Sequence, residues 1–262
     1  MNVPLRYAAL GSSFAAGPAI APVVDPNAMR SGRNYPHLLA GRLGAELTDL
    51  TTSGASTATI LDQSQVTITG AEYPPQLWSV PESVDLVTVT AGGNDLNYAG
   101  SMLFTAWQRV QPDGPFTTMM AAGFADGIPV PTADDVERTA AGLAQIVERV
   151  RVRAPRARVL LVDYLTVIGG DTAPSDEVPF EPGEIEAFRV IQSALEAAYT
   201  AAADRTGAEL VAVSQASRDH ALGTAEPWVA SFAPDLMETA GSFHPNAAGM
   251  AAVADLLGER LH

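Results

Sequence analysis

The sequence predicts an α/β protein, a three-layer α/β/α sandwich around a parallel, five-stranded, flavodoxin-like sheet. Three observations lead there. Short apolar segments alternate with segments of helical period along the 262 residues, and such alternation marks a parallel sheet. The apolar segments are continuous, as strands covered on both faces are. A hydrophobic fraction of 47% at this length suits a sizeable core, and residues 1–262 are read as a single domain.

Taken in order, residues 7–11 form a short apolar strand ending at Gly11. A helix is expected over 35–43 and a second strand over 46–50. Residues 84–90 are β-rich and end at Gly92-Gly93. Val136, Ala140, Leu143, Val147 and Val150 then keep helical spacing. Thr132 is the expected N-cap, Asp134 and Asp135 lie in the first turn, and Pro155 closes the helix. Arg149, Arg151 and Arg153 suit its C-terminal dipole better than a binding patch. Strands follow at 157–162 and 209–213. Between them Ile185, Phe188, Gln192, Leu195 and Tyr199 mark another helix, with Gln192 its one polar member. A last helix starts near Asn246 and puts Met250, Val253, Leu257 and Leu261 on one face. Two stretches rich in Gly and Pro, 101–131 and 169–183, read as loop insertions over one end of the sheet.

Composition removes several function classes. The formal net charge is −15, which repels nucleic-acid phosphates and anionic lipid, so no nucleic-acid partner is expected. All 15 basic residues are Arg; without Lys there is no Schiff base, Ser–Lys dyad or P-loop lysine. With no Cys, thiol nucleophiles, disulfides and thiolate metal sites are excluded. No segment approaches the roughly 18 apolar residues of a membrane span, so no integral membrane contact is expected. Met1 to Arg6 lead into a short strand without the pattern of a signal peptide. The expected location is cytoplasmic, or outside the cell if a leader has been trimmed.

The chemistry-bearing residues sit at element ends. Gly11-Ser12-Ser13-Phe14-Ala15-Ala16-Gly17 follows the first strand, Ser53-Gly54-Ala55-Ser56 the second, and Gly92-Gly93-Asn94-Asp95 the third. Ser242-Phe243-His244-Pro245-Asn246 precedes the last helix. Parallel strands bring the first three segments to one sheet edge, where such folds bind ligands. A Ser after a strand commonly caps a helix, a Gly often makes a turn, and an Asn often shapes a loop. A hydroxyl, glycine amides and a side-chain amide could converge at that edge. No Gly-x-Ser-x-Gly elbow is present.

These blocks resemble those of the SGNH (GDSL-type) hydrolases, which contribute Ser, Gly, Asn and His in this order. The resemblance spans nearly the whole chain, and 34–40 and 226–229 are similar to segments of bacterial members. It implies that Ser13 is the nucleophile and that His244 is its general base. It further implies that Gly54 and Asn94 complete an oxyanion hole with the Ser13 amide. His37, His220 and His262 are read as bystanders. The expected activity is hydrolysis of a small-molecule carboxylic ester through an acyl-enzyme, without metal or cofactor. Carbohydrate O-deacetylation and thioester hydrolysis would use the same centre. A binding protein that keeps the fold without catalysis, and a phosphate-cradling nucleotide binder, are rivals from other classes.

Two positions depart from the pattern. Ser12 stands where the family has Asp, so altered loop support is expected. Gly241 occupies the usual place of the acid that orients the histidine, three residues before it. The expected substitute is the Gly241 backbone carbonyl, with Glu238 and then Asp235 as carboxylate rivals. Phe14, Leu96, Tyr98, Met102, Phe104 and Trp107 are candidates for an acyl pocket.

Overall fold

The computed structural model describes residues 4–236 and 238–261. The central sheet is built from β1 (Arg6–Gly11) and the later parallel strands. Between these run two short pairs, β2 (Val23–Asp25) with β3 (Arg30–Ser31), and, after β4 (Glu46–Asp49), β5 (Gln65–Val66) with β6 (Glu72–Tyr73). β7 (Leu86–Thr90), β8 (Arg158–Val162) and β9 (Glu209–Val211) complete the sheet in the order β4-β1-β7-β8-β9, all parallel. All five residues of β7 are buried, as are the five residues of β1 after the partly exposed Arg6, which accounts for the unbroken apolar runs.

The helices are α1 (Ser13–Ala16), α2 (Tyr35–Leu43), α3 (Thr57–Leu61), α4 (Tyr98–Val110), α5 (Pro115–Met120), α6 (Ala133–Arg153), α7 (Pro182–Thr206), α8 (Val213–Ala216) and α9 (Ala247–Leu261). Strand order reverses direction after β4. Right-handed crossovers therefore put α2 on one face and α6 and α7 on the other. α2 packs with α9, and α6 with α7 and α3, giving the three layers. Thr132 and Asp135 form a reciprocal capping box at the start of α6. At its other end Arg151 donates to Thr206 O and Arg153 to Val80 O, so these arginines bind carbonyls of neighbouring segments. Gln192 is buried in α7 and satisfied by Tyr98 Oη, Thr166 Oγ1 and Glu196 Oε1.

One expectation needs correcting. The stretch 101–131 is largely helical, because α4 begins before it and carries the fully buried Met102 and Ala106 on its core face. Its glycines and prolines all fall after α4, most of them in the segments that join α4, α5 and α6. The stretch 169–183 does lack a regular element up to Pro182. Arg189 straps it down by donating to the carbonyls of Gly169, Gly170 and Thr172. Among the described residues no helix is long and apolar enough to cross a membrane.

Candidate active site

The nucleophile block is positioned by close backbone contact. A Cβ on Gly11 would lie 2.7 Å from Thr90 O, so glycine lets β1 end tightly against β7. Ser12 is extended and Ser13 opens α1. The first amides of a helix have no partner within it, and among the described residues neither the Ser13 nor the Gly54 amide meets a backbone acceptor. Gly54 has φ +84°, a left-handed conformation that favours glycine. Asn94 is held by a 2.8 Å bond from its Nδ2 to Ala55 O, which leaves that nitrogen's second hydrogen available.

His244 Nε2 lies 2.8 Å from Ser13 Oγ, and its Nδ1 lies 2.8 Å from Ser242 O. A carbonyl only accepts, so Nδ1 carries the hydrogen and Nε2 presents its lone pair to the Ser13 hydroxyl. His244 is 5% exposed, and burial pushes its pKa down to about 4, partly countered by the Ser242 carbonyl. The imidazole is therefore neutral at pH 7.

The carbonyl that holds the ring is thus that of Ser242, which corrects the expectation of Gly241. The reason lies in Phe243, whose φ of 61° is an outlier for a bulky residue. This left-handed step turns the chain so that the carbonyl two residues back faces the imidazole. Gly241 O instead accepts the His244 backbone N–H at 3.1 Å. Phe243 is fully buried against Phe232 and Phe180, contacts able to hold a conformation of this cost. The carboxylate rivals are displaced too: each ring nitrogen makes one in-plane bond, and both are occupied. Glu238 is exposed. A side chain at 241 would meet Ala19 Cβ at 2.8 Å, so the usual place of the acid is closed.

The His244 block is braced by 226–230. Asn246 Nδ2 donates to Pro227 O, and Ala230 N to His244 O. His220 stacks on Trp228 with ring centroids 3.9 Å apart, and His37 Nδ1 sits 2.8 Å from Asn34 Oδ1; neither lines the cleft described next. His262 lies outside the described residues.

Ser13, Gly54, Asn94 and His244 line one cleft of about 700 Å³, within the usual range for small-molecule sites. The expected acyl-pocket residues do not line it. Phe14, Leu96, Tyr98, Met102, Phe104 and Trp107 are buried in the core; Phe14 packs on the His244 ring and Trp107 Nε1 donates to Thr239 Oγ1. On α4 it is Ala99, Gly100 and Leu103 that face the cleft, joined by Phe116 and Met119 of α5. Sequence reasoning missed Tyr164 as well. Its hydroxyl lies 2.7 Å from Ser12 Oγ and accepts from Gly93 N; the only signal was the altered residue at position 12. Among the described residues no group of three or more His, Asp or Glu is placed to hold a metal ion.

A parallel α/β sandwich with a Ser–His pair at the carboxyl ends of its strands defines a serine-hydrolase type of site. The sequence matches the GDSL-like Lipase/Acylhydrolase family over residues 9–252. It is 35% identical over 224 residues to "Lipase 2" of Streptomyces coelicolor, covering 82% of this chain and 72% of that protein. The fold is similar to the extracellular lipase of Streptomyces rimosus (TM-score 0.72, 24% identity, 97% and 99% of the two chains). It is also similar to phospholipase A1 of Streptomyces albidoflavus (TM-score 0.74, 22% identity, 98% and 99%). The chain belongs to the GDSL-like lipase/acylhydrolase family and is a carboxylic ester hydrolase.

Proposed function

We propose that Ser13 and His244 hydrolyse an ester with an apolar acyl chain as a dyad oriented by the Ser242 carbonyl. Ser13 Oγ attacks the ester carbonyl carbon while its proton passes to His244 Nε2. The new oxyanion takes hydrogen bonds from the amides of Ser13 and Gly54 and from Asn94 Nδ2. Collapse breaks the bond to the alcohol oxygen, which leaves with the proton from Nε2. Water then attacks the acyl-enzyme, gives its proton to Nε2 and releases the acid, and Ser13 recovers its hydrogen.

The observation that carries this reading is the continuous bond chain Ser13–His244–Ser242 O. It supplies an aligned lone pair without a carboxylate, which a binding protein that had lost catalysis would not need. Leu103, Phe116 and Met119 along the cleft favour an acyl chain over an acetyl group. A fluorophosphonate probe should label Ser13, and Ser13→Ala should lose both labelling and p-nitrophenyl butyrate hydrolysis. Labelling at another residue, with Ser13→Ala fully active, would discard the assignment.

A further inference from the structure

The ribbon of β5 and its flanking residues inverts the usual polarity. Side chains alternate along 65–68, but Gln65 and Thr67 are buried, each 8% exposed, while Val66 and Ile68 are 69% and 64% exposed. A ribbon in water normally turns its apolar face to the protein and its polar face out. Here the buried polar pair is bonded: Gln65 Nε2 donates to Ser53 O at 2.7 Å, and Thr67 Oγ1 pairs with Thr69 Oγ1 at 2.9 Å. The two outward apolar side chains are left without cover.

Val66 and Ile68 both line the catalytic cleft. So do Met119 at the end of α5 and Leu236 before the His244 block, 56% and 59% exposed. Exposed apolar residues from three separate segments thus converge on one rim. Scattered ones need no explanation, but a cluster around a cleft marks a contact surface. None of the described residues lining the cleft is charged, while the chain as a whole carries −15. An anionic surface would meet net repulsion and find no cation on this rim, the reverse of polybasic docking.

We propose that this rim docks on the surface of aggregated, uncharged ester lipid, with Val66, Ile68, Met119 and Leu236 entering the apolar layer. The cleft then receives an acyl chain without its crossing water. The inference rests on the ester-hydrolase reading for the identity of the occupant, since the rim is continuous with the site that would consume it.

Binding is tested on the Ser13→Ala protein, so that the probe is not consumed. Co-sedimentation is measured with phosphatidylcholine vesicles containing dioleoylglycerol, and with vesicles in which phosphatidylglycerol replaces the phosphatidylcholine. Binding to the uncharged vesicles and weaker binding to the anionic ones are expected. Adding Val66→Ser and Ile68→Ser together should weaken binding at least about tenfold, as removal of two buried aliphatic side chains implies. Met119→Ser, on a different element, should weaken it in the same direction and decides the matter if the double variant fails a thermal-unfolding check. Absence of binding, equal binding by the rim variants, or tighter binding to the anionic vesicles would overturn the proposal. So would a homodimer in solution that the rim substitutions dissociate, which would make a second copy the occupant. Wild-type hydrolysis of soluble p-nitrophenyl butyrate is scored separately, so failure of the ester reading is distinguishable from failure of the docking surface.

Discussion

Ser12 Oγ and Tyr164 Oη lie 2.7 Å apart although 152 residues separate them in the chain. The same tyrosine hydroxyl accepts the Gly93 N–H at 3.1 Å, so one oxygen ties the nucleophile block to the Asn94 block. The ring reinforces the tie: a Cβ on Gly93 would lie 2.5 Å from it, and Phe14 packs on it with centroids 4.4 Å apart. The position where the family pattern has a carboxylate is thus joined to the loop of the proposed oxyanion donor by a neutral bond.

Tyr164→Phe keeps the ring and removes both bonds. Loss of the link between the two blocks should lower kcat about tenfold with KM less affected, and the unpaired Gly93 amide should cost about 1–3 kcal/mol of stability. Ser12→Ala should act in the same direction. The double variant should fall short of the product of the single effects, because both substitutions break one link. Independent effects in that cycle would show that the two hydroxyls do not work as a unit.

Asn94→Ala should reduce kcat by about 10²–10³ while changing KM less, since a donor aimed at the developing oxyanion acts mainly in the transition state. A loss confined to KM would identify Asn94 as a ground-state contact.

The pH profile follows from His244. Only the neutral imidazole can take the Ser13 proton, and burial pushes the pKa of this ring down to about 4. Activity should therefore hold as pH falls through 6.5, where an unperturbed histidine becomes charged, and decline only as pH approaches about 4. The check is the acid limb of kcat/KM on p-nitrophenyl butyrate, with circular dichroism at each pH to separate titration from unfolding. A midpoint near 7 would mean that the imidazolium is stabilised by a charge absent from this arrangement.

Glu238→Gln and Asp235→Asn should each cost far less than the roughly 10⁴-fold lost when a triad aspartate is neutralised, because the Ser242 carbonyl already occupies Nδ1. The assay is kcat/KM beside wild type, with folding verified. A collapse in either variant would name that residue as the acid and remove the dyad.

Much of this protein is written locally in its sequence. The span of α2 and the capping box of α6 can be read from periodicity and cap chemistry, because each depends on residues a few positions apart. Ser13, Gly54, Asn94 and His244 stand at element ends, where residue type alone left other readings open and the resemblance to the four family blocks singled them out; the fold brings them to one cleft. The Ser242 carbonyl was not legible. Every residue carries a carbonyl, and which one meets the imidazole depends on the left-handed turn at Phe243 and the aromatic packing around it. The helix that opens 101–131 is masked in the sequence by the glycines and prolines that follow it. The Tyr164 link and the apolar rim likewise arise from segments far apart in the chain. Sequence determines what each segment can form and which chemistry it carries; tertiary packing alone decides which of those groups meet.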